Sequence, residues 1–219
     1  MKRKKWWLFL IAAIVLAIGI FSVWGDKIEF VVGGAMVNIG YRLQDRLESF
    51  DFKHHDVTPQ QVWDELRSQN RLASSVRATW PRSTHHPLVA IVMCMDARLD
   101  TNEIAGDTRR YYYVLRLAGS VISAKEEDML ELAVANGTKL VIFTTHSDCA
   151  AEKVSTDPRE AALYPHLTQA VRERRAHFEE FLSRPNIRRR IRGGELLVKA
   201  MHIDTATEAI TASDSGRFE

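Results

Sequence analysis

The chain has 219 residues, 46% hydrophobic and 26% charged, which suits a folded protein with one well-buried domain and a short appendage. The formal net charge is +2, but four basic residues stand together at 2–5, and the remainder carries 26 basic against 28 acidic residues. Because the body of the chain is not basic, we exclude a general nucleic-acid binder and expect no nucleic acid among its partners.

A run of 19 residues without a charge, from Trp6 to Trp24, follows the basic tail at 1–5. A helix of this length spans roughly 28 Å, close to the hydrocarbon thickness of a bilayer, and tryptophans at both ends suit its interfaces. The run is long for a cleaved signal peptide, and no small-x-small cleavage site follows it. The sequence therefore predicts a single uncleaved transmembrane anchor over 6–24.

The orientation of this predicted anchor follows from the basic tail. Positive charge flanking a membrane span stays on the cytoplasmic side. We therefore predict a single-pass protein of the inner or plasma membrane. Its N-terminus is in the cytoplasm and its main domain is periplasmic or otherwise extracytoplasmic.

A juxtamembrane segment and linker occupy 25–57. Apolar residues recur there at the three- and four-residue spacing of a helix: Ile28, Val32, Met36, Ile39, Leu43 and Leu47. Glycines within the stripe weaken the prediction of a helix. The stripe either packs on its own domain or a partner subunit, which we favour, or lies on the membrane surface.

Residues 58–219 alternate predicted strands with predicted helices, the pattern of an α/β domain. Thr58 and Pro59 begin a helix, and Ser123 with Glu126 has the capping-box spacing that begins another. Strand-length apolar or β-prone runs lie at 88–93, 112–115, 139–145 and 195–201, and 161–183 is mostly helical. The fully apolar run at 88–93 is typical of a strand covered on both faces. We therefore predict a mainly parallel central sheet flanked by helices.

Three potential metal ligands follow two of these strands. Cys94 comes directly after 88–93, His146 directly after 139–145, and Cys149 three residues later. Functional groups of open α/β sheets gather at the carboxyl ends of strands, so we expect the three side chains to meet. Two thiolates and an imidazole favour zinc and leave its fourth position for water. The alternatives are two buried structural cysteines beside a core histidine, or a disulfide.

Asp96 and Arg98 lie two and four residues beyond Cys94. An aspartate so close to the metal could bind it directly as a fourth ligand. It could instead pair with Arg98, whose planar guanidinium suits the two-pronged holding of a carboxylate, and orient the water on the metal. The two arrangements are alternative states of one site.

Three motifs resemble those of the β-class carbonic anhydrases. C-M-D-A-R at Cys94–Arg98 resembles their C-x-D-[SA]-R motif, and H-S-D-C at His146–Cys149 resembles their H-x-x-C motif. Between them, R-L-A-G-S at Arg116–Ser120 is similar to R-x-A-G-N. The order and approximate spacing agree, and the similarity covers about 58–212.

The resemblance implies an α/β fold around a parallel sheet, a homodimer or larger homo-oligomer, and Zn²⁺ held by Cys94, His146 and Cys149. It also implies that Asp96 and Arg98 form a catalytic dyad, and that Asp96 leaves Arg98 to become a fourth zinc ligand in an inactive state. The chain departs from the family pattern at Ala97, Leu117, Ser120, Thr145 and Ala150, none of which removes a ligand.

The function that this resemblance implies is the reversible hydration of CO2 to bicarbonate by a zinc-dependent lyase anchored in a membrane. One alternative is a hydrolase of COS or CS2 that uses the same site. Another is a non-catalytic zinc module of a membrane complex, for instance in inorganic carbon transport. Asp96 and Arg98 favour catalysis, because a structural zinc site has no need of such a pair.

Overall fold

The computed structural model describes residues 2–44, 57–79, 86–106 and 112–213. It divides the chain into two compact units, Met1–Arg82 and Ser83–Glu219. The first unit is helical in its described residues, with α1 over Lys2–Gln44 and α2 over Pro59–Thr79. Helix α1 continues without a break through the glycines at 33–40, although these glycines weaken the prediction of a helix from the sequence. Residues 45–56, which belong to the predicted juxtamembrane segment and linker at 25–57, lie outside the described residues.

The predicted anchor at 6–24 falls on the N-terminal half of α1. Most of its side chains, and those of the basic tail, lie outside the described part of the chain. Among the residues that could be searched, no helix is both long and apolar enough to cross a membrane. The membrane anchor therefore stays a prediction from the sequence.

The second unit is an α/β domain. Its strands are β1 (Val89–Cys94), β2 (Tyr112–Leu117), β3 (Leu140–His146), β4 (Leu197–Ile203) and β5 (Ile210–Ala212). Its helices are α3 (Thr101–Ala105), α4 (Ala124–Ala135), α5 (Ala150–Thr156), α6 (Pro158–Leu163), α7 (Pro165–Ser183) and α8 (Pro185–Arg192), and a 3-10 turn lies at Ala118–Ser120.

The five strands form one sheet in the order β2-β1-β3-β4-β5. The first four strands are parallel, and β5 pairs antiparallel with the edge of β4. The prediction of a mainly parallel sheet is confirmed. The chain leaves β1 toward β2 on one side and returns as β3 on the other, so β1 and β3 flank a topological switch point. Open α/β sheets bind their ligands in the crevice at such a point.

Apolar burial fixes the sheet between helices. Strand β1 is buried along almost its whole length, as its continuous apolar sequence predicts, and β3 is nearly as buried. One core cluster packs the sheet against α4, α7 and α8, with Phe143 in edge contact with Phe178 at a ring separation of 5.0 Å. A smaller cluster surrounds the carboxyl ends of β1 and β4 and includes Met93, Leu99 and Ile203.

Local sequence signals coincide with several element boundaries. The capping box of α4 is present, and the Ser123 backbone N–H donates to the Glu126 carboxylate at 3.0 Å. Prolines occupy the first turns of α6, α7 and α8, where a missing N–H costs least. Strand β5 is missing from the prediction, since three residues with one alternation carry no strand pattern.

Candidate metal centre

Cys94, His146 and Cys149 meet at the carboxyl edge of the sheet. Cys94 is the last residue of β1, His146 is the last residue of β3, and Cys149 is the N-cap of α5. All three are at most 5% exposed, and their ligand atoms lie within 4.8 Å of one another. The two cysteines are free thiols rather than a disulfide. The predicted convergence of these three residues is therefore present.

The two ring nitrogens of His146 show whether a metal fits between these side chains. Its Nδ1 lies 2.9 Å from the Ser147 carbonyl oxygen, so Nδ1 carries the proton and donates to it. Its Nε2 is buried and has no hydrogen-bond partner among the described residues. This arrangement is the usual one for a metal-binding imidazole, whose second nitrogen is fixed by a backbone or carboxylate acceptor. Zn²⁺ fits the two sulfurs and this nitrogen, and two thiolates balance its charge.

The two thiols shift each other's pKa in opposite directions. The Cys149 thiol hydrogen-bonds the Cys94 sulfur and lowers the pKa of Cys94, and this outweighs the burial that raises it. The same contact, with burial, raises the pKa of Cys149. The backbone N–H groups of Asp96 and Gly119 also hydrogen-bond the Cys94 sulfur. Cys94 is therefore the thiol that ionises more readily, and a coordinated cation deprotonates a thiol outright.

Asp96 pairs with Arg98 in this structure. Arg98 Nε lies 3.0 Å from Asp96 Oδ1 and Nη2 lies 2.7 Å from Oδ2, which is the two-pronged geometry expected of arginine and a carboxylate. The hydrogen bonds and charge of Arg98 hold the pKa of Asp96 well below its usual range, against a smaller effect of burial. Asp96 is therefore ionised and paired with Arg98. Of the four predicted metal ligands, Cys94, His146 and Cys149 lie close enough together to hold an ion.

Arg116 holds the loop that carries this pair. Its Nε donates to the Cys94 carbonyl oxygen at 3.3 Å, and its Nη2 donates to the Asp96 carbonyl oxygen. The resemblance of the motif around Arg116 singles out this residue, but only the structure shows what its side chain does. One guanidinium thus fixes the backbone on which a metal ligand and the paired aspartate both stand.

Sequence reasoning misses Arg174, which supports the site from α7. Its side chain is 7% exposed, donates from Nη2 to the Gly119 carbonyl oxygen at 2.7 Å, and pairs through Nη1 with Glu152 at 2.8 Å. It thereby joins the turn after β2 to α5, whose N-cap is Cys149. No sequence pattern marks this arginine, because a polar position on an amphipathic helix predicts exposure.

Gly119 has a positive φ of 62° and closely packed surroundings. A Cβ there lies 3.1 Å from Val171 Cγ2 and 3.3 Å from both Ala151 Cβ and Arg174 Nη2. We expect Gly119→Ala to lower the free energy of unfolding by about 2–3 kcal/mol, since backbone strain and crowding add. Chemical denaturation of the zinc-loaded chain measures this change.

Gly194→Ala is the matched control for this variant. Its φ of 69° is nearly the same, but a Cβ there has no neighbour within 4 Å. We expect only the strain, about 1 kcal/mol. Equal losses in the two variants contradict the packing role given to Gly119.

The match to a known protein family covers the part of the chain that contains the three candidate metal ligands. The sequence model of the family described as carbonic anhydrase matches residues 89–212, more than half of the chain. Beta-carbonic anhydrase 1 of Mycobacterium bovis and its namesake in Mycobacterium tuberculosis are each 34% identical over 86 residues, which is 38% of this chain and 50% of theirs. The chain thus spans about half the length of the curated relatives it matches.

Solved structures share the fold. A β-carbonic anhydrase of Sordaria macrospora, described as tetrameric, superposes with a TM-score of 0.54 at 19% identity, covering 71% of this chain and 98% of that one. The carbonic anhydrase of Streptococcus mutans superposes with a TM-score of 0.51 at 18% identity, covering 69% of this chain and 97% of its own. At such identities the similarity establishes the architecture.

Proposed function

The chain belongs to the β-class carbonic anhydrase family, a family of lyases that act as carbonate dehydratases, and on this basis we propose that it hydrates CO2 reversibly to bicarbonate with zinc as its cofactor. The observation that carries the proposal is one edge of the sheet, where a buried Cys-His-Cys cluster lies beside an aspartate paired with an arginine.

The cofactor of this proposal is Zn²⁺, held by Cys94, His146 and Cys149. When bound, zinc acts as a Lewis acid and makes hydroxide available from water near neutral pH. The His146 Nδ1–H bond to the Ser147 carbonyl orients the imidazole toward the cluster. The backbone N–H groups on the Cys94 sulfur disperse part of its charge.

Asp96 and Arg98 perform the part of the reaction that this chain's own side chains control. Ionised Asp96 accepts a hydrogen bond from the nucleophile and aims its lone pair at the carbon of CO2. Arg98 keeps that carboxylate in place and opposes its protonation, since the hydrogen bonds and the charge of Arg98 hold the pKa of Asp96 low. A role for Asp96 as a fourth zinc ligand belongs to a second, inactive state in which this pair is broken.

Assembly into a homodimer or larger homo-oligomer is part of the proposal. Helix α2 has no buried residue in the described structure, although it carries an apolar stripe. Its exposed apolar side chains are Val62, Trp63, Leu66, Leu72 and Val76. Burial of these apolar side chains against a second subunit removes them from water and stabilises the assembly. Light scattering on the purified chain should give a mass of at least two subunits.

Attachment to the inner or plasma membrane rests on the sequence of 6–24 and on the basic tail before it. We expect a protease added to intact spheroplasts to digest the α/β domain, because the domain lies outside the cytoplasm. Full protection in spheroplasts, with digestion after lysis, contradicts this orientation.

The substrate is tested by comparing CO2, COS and CS2 on one zinc-loaded preparation of the full chain. We expect rapid hydration of CO2, which stopped flow measures through the protons released. We expect slower release of sulfide, or none, from COS and CS2. If COS or CS2 is turned over faster than CO2, the proposed substrate is wrong, but the assignment of the metal ligands stands.

A further inference from the structure

Asp148 lies between two of the metal-binding residues, two positions after His146 and directly before Cys149. It has a φ of 62°, in the left-handed region that residues other than glycine adopt infrequently. Neither the ligand set nor the Asp96–Arg98 pair gives this carboxylate a role. Its contacts point to Arg98.

Arg98 is held from two sides. Its Nε and Nη2 engage the carboxylate of Asp96, and its Nη1 donates to Asp148 Oδ2 at 3.3 Å. Its Nη2 also donates to the Asp148 carbonyl oxygen at 3.2 Å. All three guanidinium nitrogens therefore have an acceptor, and Asp148 supplies two of the contacts. The left-handed turn places both of its acceptors on the same guanidinium.

Lys153 reduces the competition between the two carboxylates for Arg98. Its ammonium pairs with Asp148 Oδ1, while Arg98 contacts Oδ2. The contact with Lys153 is the first cause of the lowered pKa of Asp148, followed by that with Arg98. Because Lys153 balances much of the negative charge of Asp148, the charge of Arg98 remains available for Asp96. The effect of Asp148 on Arg98 is then mainly geometric.

We propose that Asp148 is a positioning residue, which fixes Arg98 where it receives Asp96 and so keeps Asp96 away from the metal. The inference rests on the proposed function, since it concerns the zinc position that Asp96 would otherwise take. With Asp148 in place, the Asp96–Arg98 pair is favoured and the fourth metal position stays open. Without it, Arg98 swings more freely and Asp96 spends more time on the metal.

Two replacements of Asp148 distinguish the contribution of its carboxylate from that of its left-handed backbone conformation. Asp148→Gly keeps the left-handed backbone and the carbonyl contact but removes the carboxylate, because glycine adopts this φ freely. Asp148→Asn keeps an acceptor oxygen for Arg98 Nη1, and asparagine also tolerates this conformation. We expect kcat/KM for CO2 to fall about three- to fivefold in Asp148→Gly, in line with the strength of exposed ion pairs. Asp148→Asn should stay within about twofold of the parent chain.

The second readout is independent of turnover. Cobalt(II) replaces zinc in the full chain, and azide is titrated while the visible absorption bands of the cobalt are followed. Azide needs the fourth metal position, so its apparent affinity falls in proportion to the fraction of open sites. We expect Asp148→Gly to weaken azide about as much as it lowers kcat/KM, with metal content and melting temperature near those of Asp148→Asn. A merely structural role lowers stability without moving azide affinity.

Lys153→Met gives an additional measurement on an exposed position, should Asp148→Gly fail to fold. Without Lys153, the full charge of Asp148 competes with Asp96 for Arg98, so azide affinity should fall by about twofold or more. Azide affinities equal to that of the parent chain in folded Asp148→Gly and folded Lys153→Met overturn the inference. If the parent binds azide but does not hydrate CO2, the proposed function fails, and the azide series still tests Asp148.

Discussion

Cys149→Ser is expected to abolish zinc binding, and with it the CO2 hydration of the chain. The substitution removes one of two thiolates from a buried site, and a serine hydroxyl stays protonated near neutral pH and is a poor zinc ligand. We expect zinc to fall from one per chain to below about a tenth, and the rate to fall by at least about a thousandfold. Atomic absorption on dialysed protein and stopped flow measure the two quantities.

Ser155→Ala is the matched control for this variant. Ser155 is also buried on α5, but its hydroxyl donates to the Glu152 carbonyl at 2.8 Å within the same helix and takes no part in the cluster. It should keep one zinc per chain. Full zinc in Cys149→Ser means that the ligand assignment is wrong.

Asp96→Asn is expected to keep the metal and lose the rate. Asparagine has the same shape but no charge, so it cannot form the ion pair with Arg98 or accept the nucleophile's proton equally well. We expect kcat to fall by about 10²- to 10⁴-fold, the range typical of removing a positioned acid-base group. Zinc content should remain at one per chain, because three other ligands hold it.

Glu103→Gln is the control for the loss of one negative charge. Glu103 is exposed on α3 and belongs to neither the cluster nor the Asp96–Arg98 pair. Its kcat should be unchanged. A full rate in Asp96→Asn contradicts the catalytic role of the pair, and loss of zinc in that variant makes Asp96 an obligatory ligand.

The sequence predicts the parts of this molecule that depend on local patterns. Apolar runs of strand length locate β1 and β3, and the capping box at Ser123 locates the start of α4. Since parallel strands bring their carboxyl ends to one edge, the convergence of Cys94 and His146 follows from the same patterns. Sequence alone leaves two positions open for Asp96, and side-chain geometry places it on Arg98 here.

Features that depend on tertiary contacts escape sequence reasoning. Arg174 is buried because a turn from another part of the chain offers it a carbonyl oxygen, and nothing on its own helix indicates this. The contact between Asp148 and Arg98 joins positions 50 apart in the chain. Helix α1 extends across its glycines, because propensity is a weak constraint on a long apolar helix. The anchor at 6–24 stays a prediction that the spheroplast experiment tests.

The most direct test of the account titrates zinc into metal-free full-length chain and follows CO2 hydration by stopped flow at each step. The account predicts that activity rises linearly and stops rising at one zinc per chain, between about pH 7 and 9. Chain that binds one zinc through Cys94, His146 and Cys149 but hydrates no CO2 across that range contradicts the proposed function, and favours a non-catalytic zinc module.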